Sequence, residues 1–321
     1  MFDETSQQRR RFHELGAVLA RLAEQNVYLG TSSWKYPGWC GQLYDRDQYL
    51  WRSKFSQSRF EKNCLAEYAT VFKSVCVDAG YYRFPTEGYI GGLVAQVPPD
   101  FLFSFKVTDE ITIRKFTRLP RFGKRAGKPN ENFLDADLFQ NAFLRPCAPF
   151  RKNIGLVMFE FSHFYKSNFA RGRDFVEALD GFLEKLPAGW QYGVEIRNEH
   201  FLEPEYFDCL ARHGVAHIYN SWQRMPPVSA QLAIEGSRTN PRFTGARFLL
   251  KPGRPYQEAV DAFSPYNETK EVDEDARDAG SRMIKELIES AAEPSFLFIN
   301  NRLEGNALNT ITGMLEKAGL L

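Results

Sequence analysis

Short apolar runs along the chain alternate with longer stretches in which apolar residues recur every three or four positions. The runs fall at Val27 to Thr31, Ser74 to Ala79, Phe101 to Val107, Ile154 to Glu160, Gln191 to Ile196, Val215 to Tyr219, Gly245 to Leu250 and Ser295 to Asn300. Runs of this length and content read as strands, and the spacing between them reads as amphipathic helix. Phe60, Cys64, Leu65, Tyr68, Val71 and Phe72 mark one helix face, and Phe175, Leu179, Phe182 and Leu186 mark another. Phe12, Leu15, Leu19 and Leu22 predict an amphipathic helical extension over residues 1–26, ahead of one domain over 27–321. Strand, helix, strand repetition implies parallel pairing. The expected fold is α/β, a single TIM-like (β/α)8 barrel with an N-terminal helical extension and long loop insertions; a doubly wound open sheet is the alternative. The insertions are 114–137, 223–242 and 252–274.

Alternation within the strands shows which polar groups share a face. Cys76 and Asp78 oppose Val75, Val77 and Ala79; Ser104 and Lys106 oppose Phe101, Phe103 and Phe105; Gly193, Glu195 and Arg197 oppose Tyr192, Val194 and Ile196. The polar face points into the barrel, and Asp78, Lys106, Glu195 and Arg197 all fall at the carboxyl ends of their strands, where barrel enzymes place their sites. A charge-balanced network filling the interior and a catalytic set are both open readings; clustering at one end favours function. Glu195 beside Arg197 suits general acid or base work. Glu160 offers a second carboxylate for glycoside hydrolysis, a minor option, but it shares parity with Leu156 and Met158 and its direction stays open.

The loop GTSSWKYPGWCGQLY, Gly30 to Tyr44, concentrates two Trp and two Tyr after the first strand. It is expected to form one wall of a binding site, with Trp34 lining the same cavity as Lys106. Packing of these rings within the loops is the competing reading, and for any one of them the stronger. Arg83, Lys106, Arg197 and Lys251 could hold a phosphate or carboxylate, pointing to a small anionic or sugar-like ligand.

Lys plus Arg number 41 against 40 Asp plus Glu, so there is no global field to gather nucleic acid or a membrane surface. One local exception is the insertion ITIRKFTRLPRFGKRAGKPNENF. There Arg114, Lys115, Arg118, Arg121, Lys124, Arg125 and Lys128 interleave with Phe116 and Phe122. A non-catalytic nucleic-acid-binding protein using residues 114–128 is the alternative function, although one basic stretch more often marks a solvated loop. The five cysteines are scattered without CxxC pairing, and no apolar run is long enough for a membrane span, so a cytoplasmic protein is expected. The five histidines show no metal-ligand spacing, and there is no P-loop, GxGxxG or GxSxG, so no metal or cofactor is assigned; nothing in the pattern speaks to oligomeric state.

GTSSWKYPGW, VCVDAGYYRFP, FLFSFK followed by IT, GLVMFEF, VEIRNEHF and FLFINNRLEGNA together resemble the YecE-like family, also called DUF72, from Val27 onward. The resemblance implies a TIM barrel and carries little function. It implies as site residues Trp34, Tyr82, Arg83, Lys106, Glu195, Arg197, Asn300 and Asn301. The chain departs from the family pattern at Cys76 and Asp78, where Glu and Asn are usual, at Ile113, where His is usual, and at Leu250 and Pro252-Gly253, where Arg and His-Gly are usual. Chemistry that needs those groups is not implied here.

Overall fold

The computed structural model describes residues 2–321, with side chains from residue 11 onward. Eight parallel strands close into a barrel: β1 (Val27–Thr31), β2 (Ser74–Val77), β3 (Leu102–Lys106), β4 (Ile154–Phe161), β5 (Gln191–Ile196), β6 (Ala216–Ser221), β7 (Gly245–Phe248) and β8 (Ser295–Ile299). Closure rests on β1, which pairs with β8 along its whole length and with β2 at Thr31–Val75. An open doubly wound sheet is thereby excluded.

Two apolar regions follow from the alternation. Outward residues such as Val75, Phe103, Phe105, Val157, Phe159 and Val194 join the helices in one large core. Inward residues Leu156, Met158, Ile218, Phe296 and Phe298 fill the barrel. Phe296 stacks on Tyr28 at 5.4 Å and on Phe298 at 5.9 Å. Ile218 occupies the middle because β5 and β7 present glycine to it: a Cβ at Gly193 or Gly245 would stand 2.4 Å from its Cδ1. The interior is a plug, and the polar groups sit above it.

Helix α1 (Phe2–Glu24) buries Phe12, Leu15, Val18, Leu19 and Leu22 in the outer core. Each buried aliphatic side chain contributes about 2 kcal/mol. Between β1 and β2, α2 (Gln57–Tyr68) buries Phe60, Cys64, Leu65 and Tyr68, with the Ser56 hydroxyl accepting from the Arg59 amide at its N-terminus. Two of the three insertions contain short α-helices, Val228–Leu232 and Tyr256–Phe263, and the third a 3-10 helix, Pro120–Arg125. The third, 114–137, is held by a backbone ladder in which the Phe116 amide donates to Lys128, Gly127 to Phe116 and Asn130 to Arg114. No helix among the described residues is long and apolar enough to cross a membrane.

Candidate functional site

Above the apolar plug, five strands deliver six charged side chains to one place. Asp78 follows β2, Lys106 ends β3, Glu160 lies near the end of β4, Glu195 is in β5 with Arg197 just beyond it, and Arg247 is in β7. Glu160 Oε2 accepts from Lys106 Nζ at 2.6 Å, Arg197 Nη2 at 2.8 Å and Arg247 Nη1 at 2.9 Å. Glu195 accepts from Arg247 Nη1 at 2.6 Å and from Arg197 Nε at 3.2 Å. Asp78 Oδ1 lies 3.2 Å from Arg247 Nη2 and 3.9 Å from Lys106 Nζ. Three cations thus face three carboxylates, and buried charges persist only when paired in this way.

Burial alone would raise the Glu160 carboxyl, but Arg197, Lys106 and Arg247 outweigh it and hold the group below the usual carboxylate range. Burial would likewise lower Lys106, yet Glu160 and Asp78 raise it, so it stays an ammonium ion at neutral pH. Arg247 is raised in the same sense against its own desolvation. Cys76 Sγ lies 3.8 Å from Asp78 Oδ1, and burial pushes its thiol far up, so it is a neutral donor and not a nucleophile.

The six differ in access. Glu195 is fully enclosed and Glu160 and Arg247 nearly so, whereas the Asp78 side chain is 34% exposed. Lys106 and Arg197 lie between these levels, each covered by a ring: Lys106 Nζ is 4.0 Å from the centre of Tyr81, and the Arg197 guanidinium 3.8 Å from that of Trp222.

Four of the sequence candidates therefore meet: Asp78, Lys106, Glu195 and Arg197. The others make no ion pair with these groups among the described residues. Tyr82 is 65% exposed and Arg83 is exposed, both outside the charged set. Asn300 Oδ1 accepts from the Arg302 amide and Asn301 Oδ1 from the Ala307 amide, so both shape the turn into the last helix. Trp34 is 4% exposed within the outer core. In its loop Trp39 and Tyr44 are buried, Trp39 stacks on Tyr44, and Tyr44 meets Phe60 of α2 edge-on. The short turn Pro37–Trp39 lies between Trp34 and Tyr44, and the rings of Trp39 and Tyr44 pack the loop toward α2.

Two members of the set were not assigned from sequence. Glu160 does face inward, and its parity with Leu156 and Met158 is now explained, because those residues are the apolar plug beneath it. Arg247 supplies a cation from β7, where the departure at Leu250 had suggested none. Its signal was present: Gly245 and Arg247 alternate with Ala246 and Phe248.

In the basic insertion, Phe116 and Phe122 pack against each other with centroids 5.1 Å apart and are buried with Ile113, so they do not offer ring faces to bases. Arg121 pairs with Asp109 and Arg125 with both oxygens of Glu110. Among the described residues, one group could hold a metal ion, Asp180, Cys209 and His213, with ligand atoms within 4.8 Å of one another. Asp180 also accepts from Arg212 at 2.8 Å, and the group precedes β6, at the opposite end of the barrel from the charged set.

The model of the family described as "Protein of unknown function DUF72" matches residues 28–320. A solved DUF72 family protein from Enterococcus faecalis V583 superposes with a TM-score of 0.61 at 17% identity, over 92% of this chain and 96% of that one. Another from Thermotoga maritima MSB8 gives a TM-score of 0.58 at 20% identity, over 92% and 98%. No curated protein matches the chain. At these identities the solved structures speak to the barrel, while the family match spans nearly all of the sequence from β1 to the last helix. The chain belongs to the DUF72 family.

Proposed function

We propose that the carboxyl face of the barrel binds a small anionic or sugar-like ligand and transforms it by acid/base chemistry. Asp78 is the proton-transferring group, and Lys106 and Arg197 stabilise negative charge on the ligand. Glu160, Glu195 and Arg247 hold these three in place. The observation that carries this reading is the access of Asp78, the one carboxylate of the set with a third of its surface open, beside an ammonium group at 3.9 Å. A general base must reach the proton it takes, and Glu195, enclosed beneath two arginines, does not. Glycoside hydrolysis is disfavoured for a related reason: Glu160, held ionised by three cations, has no proton to give a leaving oxygen.

The reading is tested by a thermal-shift screen of sugars, sugar phosphates and hydroxy acids, followed by turnover assays on any compound that stabilises the protein. Asp78→Asn is expected to retain the stabilisation and lose about a hundredfold or more in kcat. An Asp78→Asn variant with normal turnover removes Asp78 from the chemistry, and a panel without a stabilising compound sinks the reading. Nucleic-acid binding through residues 114–128 has less to rest on, because Phe116 and Phe122 are buried.

A further inference from the structure

Beside the charged set, the basic insertion and the loop after β4 enclose a groove of about 520 Å3, a volume suited to a small molecule. Arg114, Lys115, Arg118 and Arg121 line one side and His163 the other, and no Asp or Glu among the described residues lines it. In a chain with a formal net charge of +1 this is a local concentration of cations. Arg121 is engaged by Asp109, and the Arg114 guanidinium lies 5.4 Å from the ring of Phe133. Lys115 and Arg118 are exposed and have no ion pair among the described residues.

Two further observations point to an occupant. Thr112 lines the groove, is 1% exposed, and its hydroxyl has no hydrogen-bond partner. A buried hydroxyl left unpaired is uncommon and calls for an explanation. His163 Nδ1 lies 3.1 Å from the carbonyl oxygen of Arg197. A carbonyl can only accept, so Nδ1 carries the proton and Nε2 is the ring nitrogen left for a ligand. The groove also adjoins the charged set directly, because Tyr81 lines it and covers Lys106.

We propose that this groove is a phosphate subsite, which takes the phosphoryl group of a phosphorylated small molecule whose remainder extends past Tyr81 toward Lys106 and Asp78. Arg118 offers a planar fork of donors to the phosphoryl oxygens and Lys115 a point charge, while Thr112 adds a hydroxyl donor from below. The subsite itself stands on the groove; the path of the remainder rests on the proposed function.

The test is calorimetric titration with inorganic phosphate, ribose 5-phosphate and ribose. The proteins are the wild type, a Lys115→Ala/Arg118→Ala double variant, whose changes are both at exposed positions, and Asp78→Asn. Phosphate and ribose 5-phosphate are expected to bind the wild type, ribose to bind more weakly, and the double variant to lose about tenfold or more in affinity for both phosphates. Asp78→Asn is expected to keep its affinity for inorganic phosphate. Unchanged phosphate binding in the double variant, or none in the wild type, overturns the subsite and leaves the proposed function standing. Phosphate binding lost only in the double variant, together with no member of the thermal-shift panel being turned over, keeps the subsite and overturns the proposed function. An oligothymidylate that binds through Lys115 and Arg118 about a hundredfold more tightly than ribose 5-phosphate overturns the small-molecule assignment in favour of a nucleic-acid backbone.

Discussion

Glu160 and Glu195 are register partners on adjacent parallel strands, and both face into the barrel. Two carboxylates side by side in a buried layer would ordinarily keep one proton between them. Here Arg247 donates to both through the same Nη1, at 2.9 and 2.6 Å, and Arg197 reaches both as well. The arginines supply the opposite charge that lets two carboxyl groups share this layer.

Removing one partner from this layer should therefore unfold more than it disables. Glu195→Gln and Arg247→Met are each expected to cost about 3–5 kcal/mol, because each leaves an opposite charge buried and uncompensated. Urea denaturation reads this directly. The double variant should be less destabilised than the two single effects added together, and strict additivity would show that the two groups do not act as a pair.

Acid should act through Glu160. Its folded carboxyl lies below the unfolded value of about 4.3, so its contribution is fully present above that pH and is lost as pH falls through the range beneath it. Denaturation midpoints are expected to drop below about pH 4 with a slope approaching 1.4 kcal/mol per pH unit for this one proton. Glu160→Gln should be less stable at pH 7 and show a shallower slope below pH 4.

A second, separate slope is expected from His217. Burial among Tyr206, Phe207 and Tyr219 lowers it to about 3, so it is neutral in the fold while an unfolded histidine protonates near 6.5. A depressed folded value means stability that is full above the unfolded value and lost as pH falls from there toward 3. Between pH 7 and 5 the wild type should lose stability, and His217→Leu should flatten that part of the curve. An unchanged slope would show that another group titrates in this window.

Within the basic insertion, hydrogen exchange should separate root from tip. Amides of Phe116, Gly127 and Asn130 bond across the root and are expected to exchange slowly, as should those beside the buried Phe122. The exposed stretch around Thr117, Arg118 and Leu119 should exchange fast. Uniform protection across 114–128 would argue against this division into root and tip, and Phe122→Ala should accelerate exchange at both.

Much of the barrel and four of the six charged residues of the site could be read from alternation alone. Asp78, Lys106, Glu195 and Arg197 each oppose an obvious apolar partner, so their common face was legible. Glu160 was ambiguous because an inward stripe that is apolar at depth and charged at its end looks like an outward stripe until closure of the barrel is known. Arg247 obeyed the same alternation, but its strand is only four residues long, too short for the pattern to stand out. Trp34, Trp39 and Tyr44 mark the real limit. Whether a loop ring faces a ligand or folds onto a helix depends on what lies beneath it, here Phe60 of α2, which lies outside the motif itself.

The charged set is electroneutral, with Lys106, Arg197 and Arg247 against Asp78, Glu160 and Glu195. Seen from a distance in solution such a cluster is a multipole, whose attraction fades before an anion has diffused close. Long-range steering falls to Arg114, Lys115 and Arg118 on the rim, whose charge is not cancelled by acids in the groove. Under the proposed phosphate subsite, binding and chemistry are then assigned to different residues: added salt slows encounter and weakens binding through the rim, while proton transfer is set at the barrel mouth. Capture speed can thus change by surface substitution without disturbing the chemistry beneath.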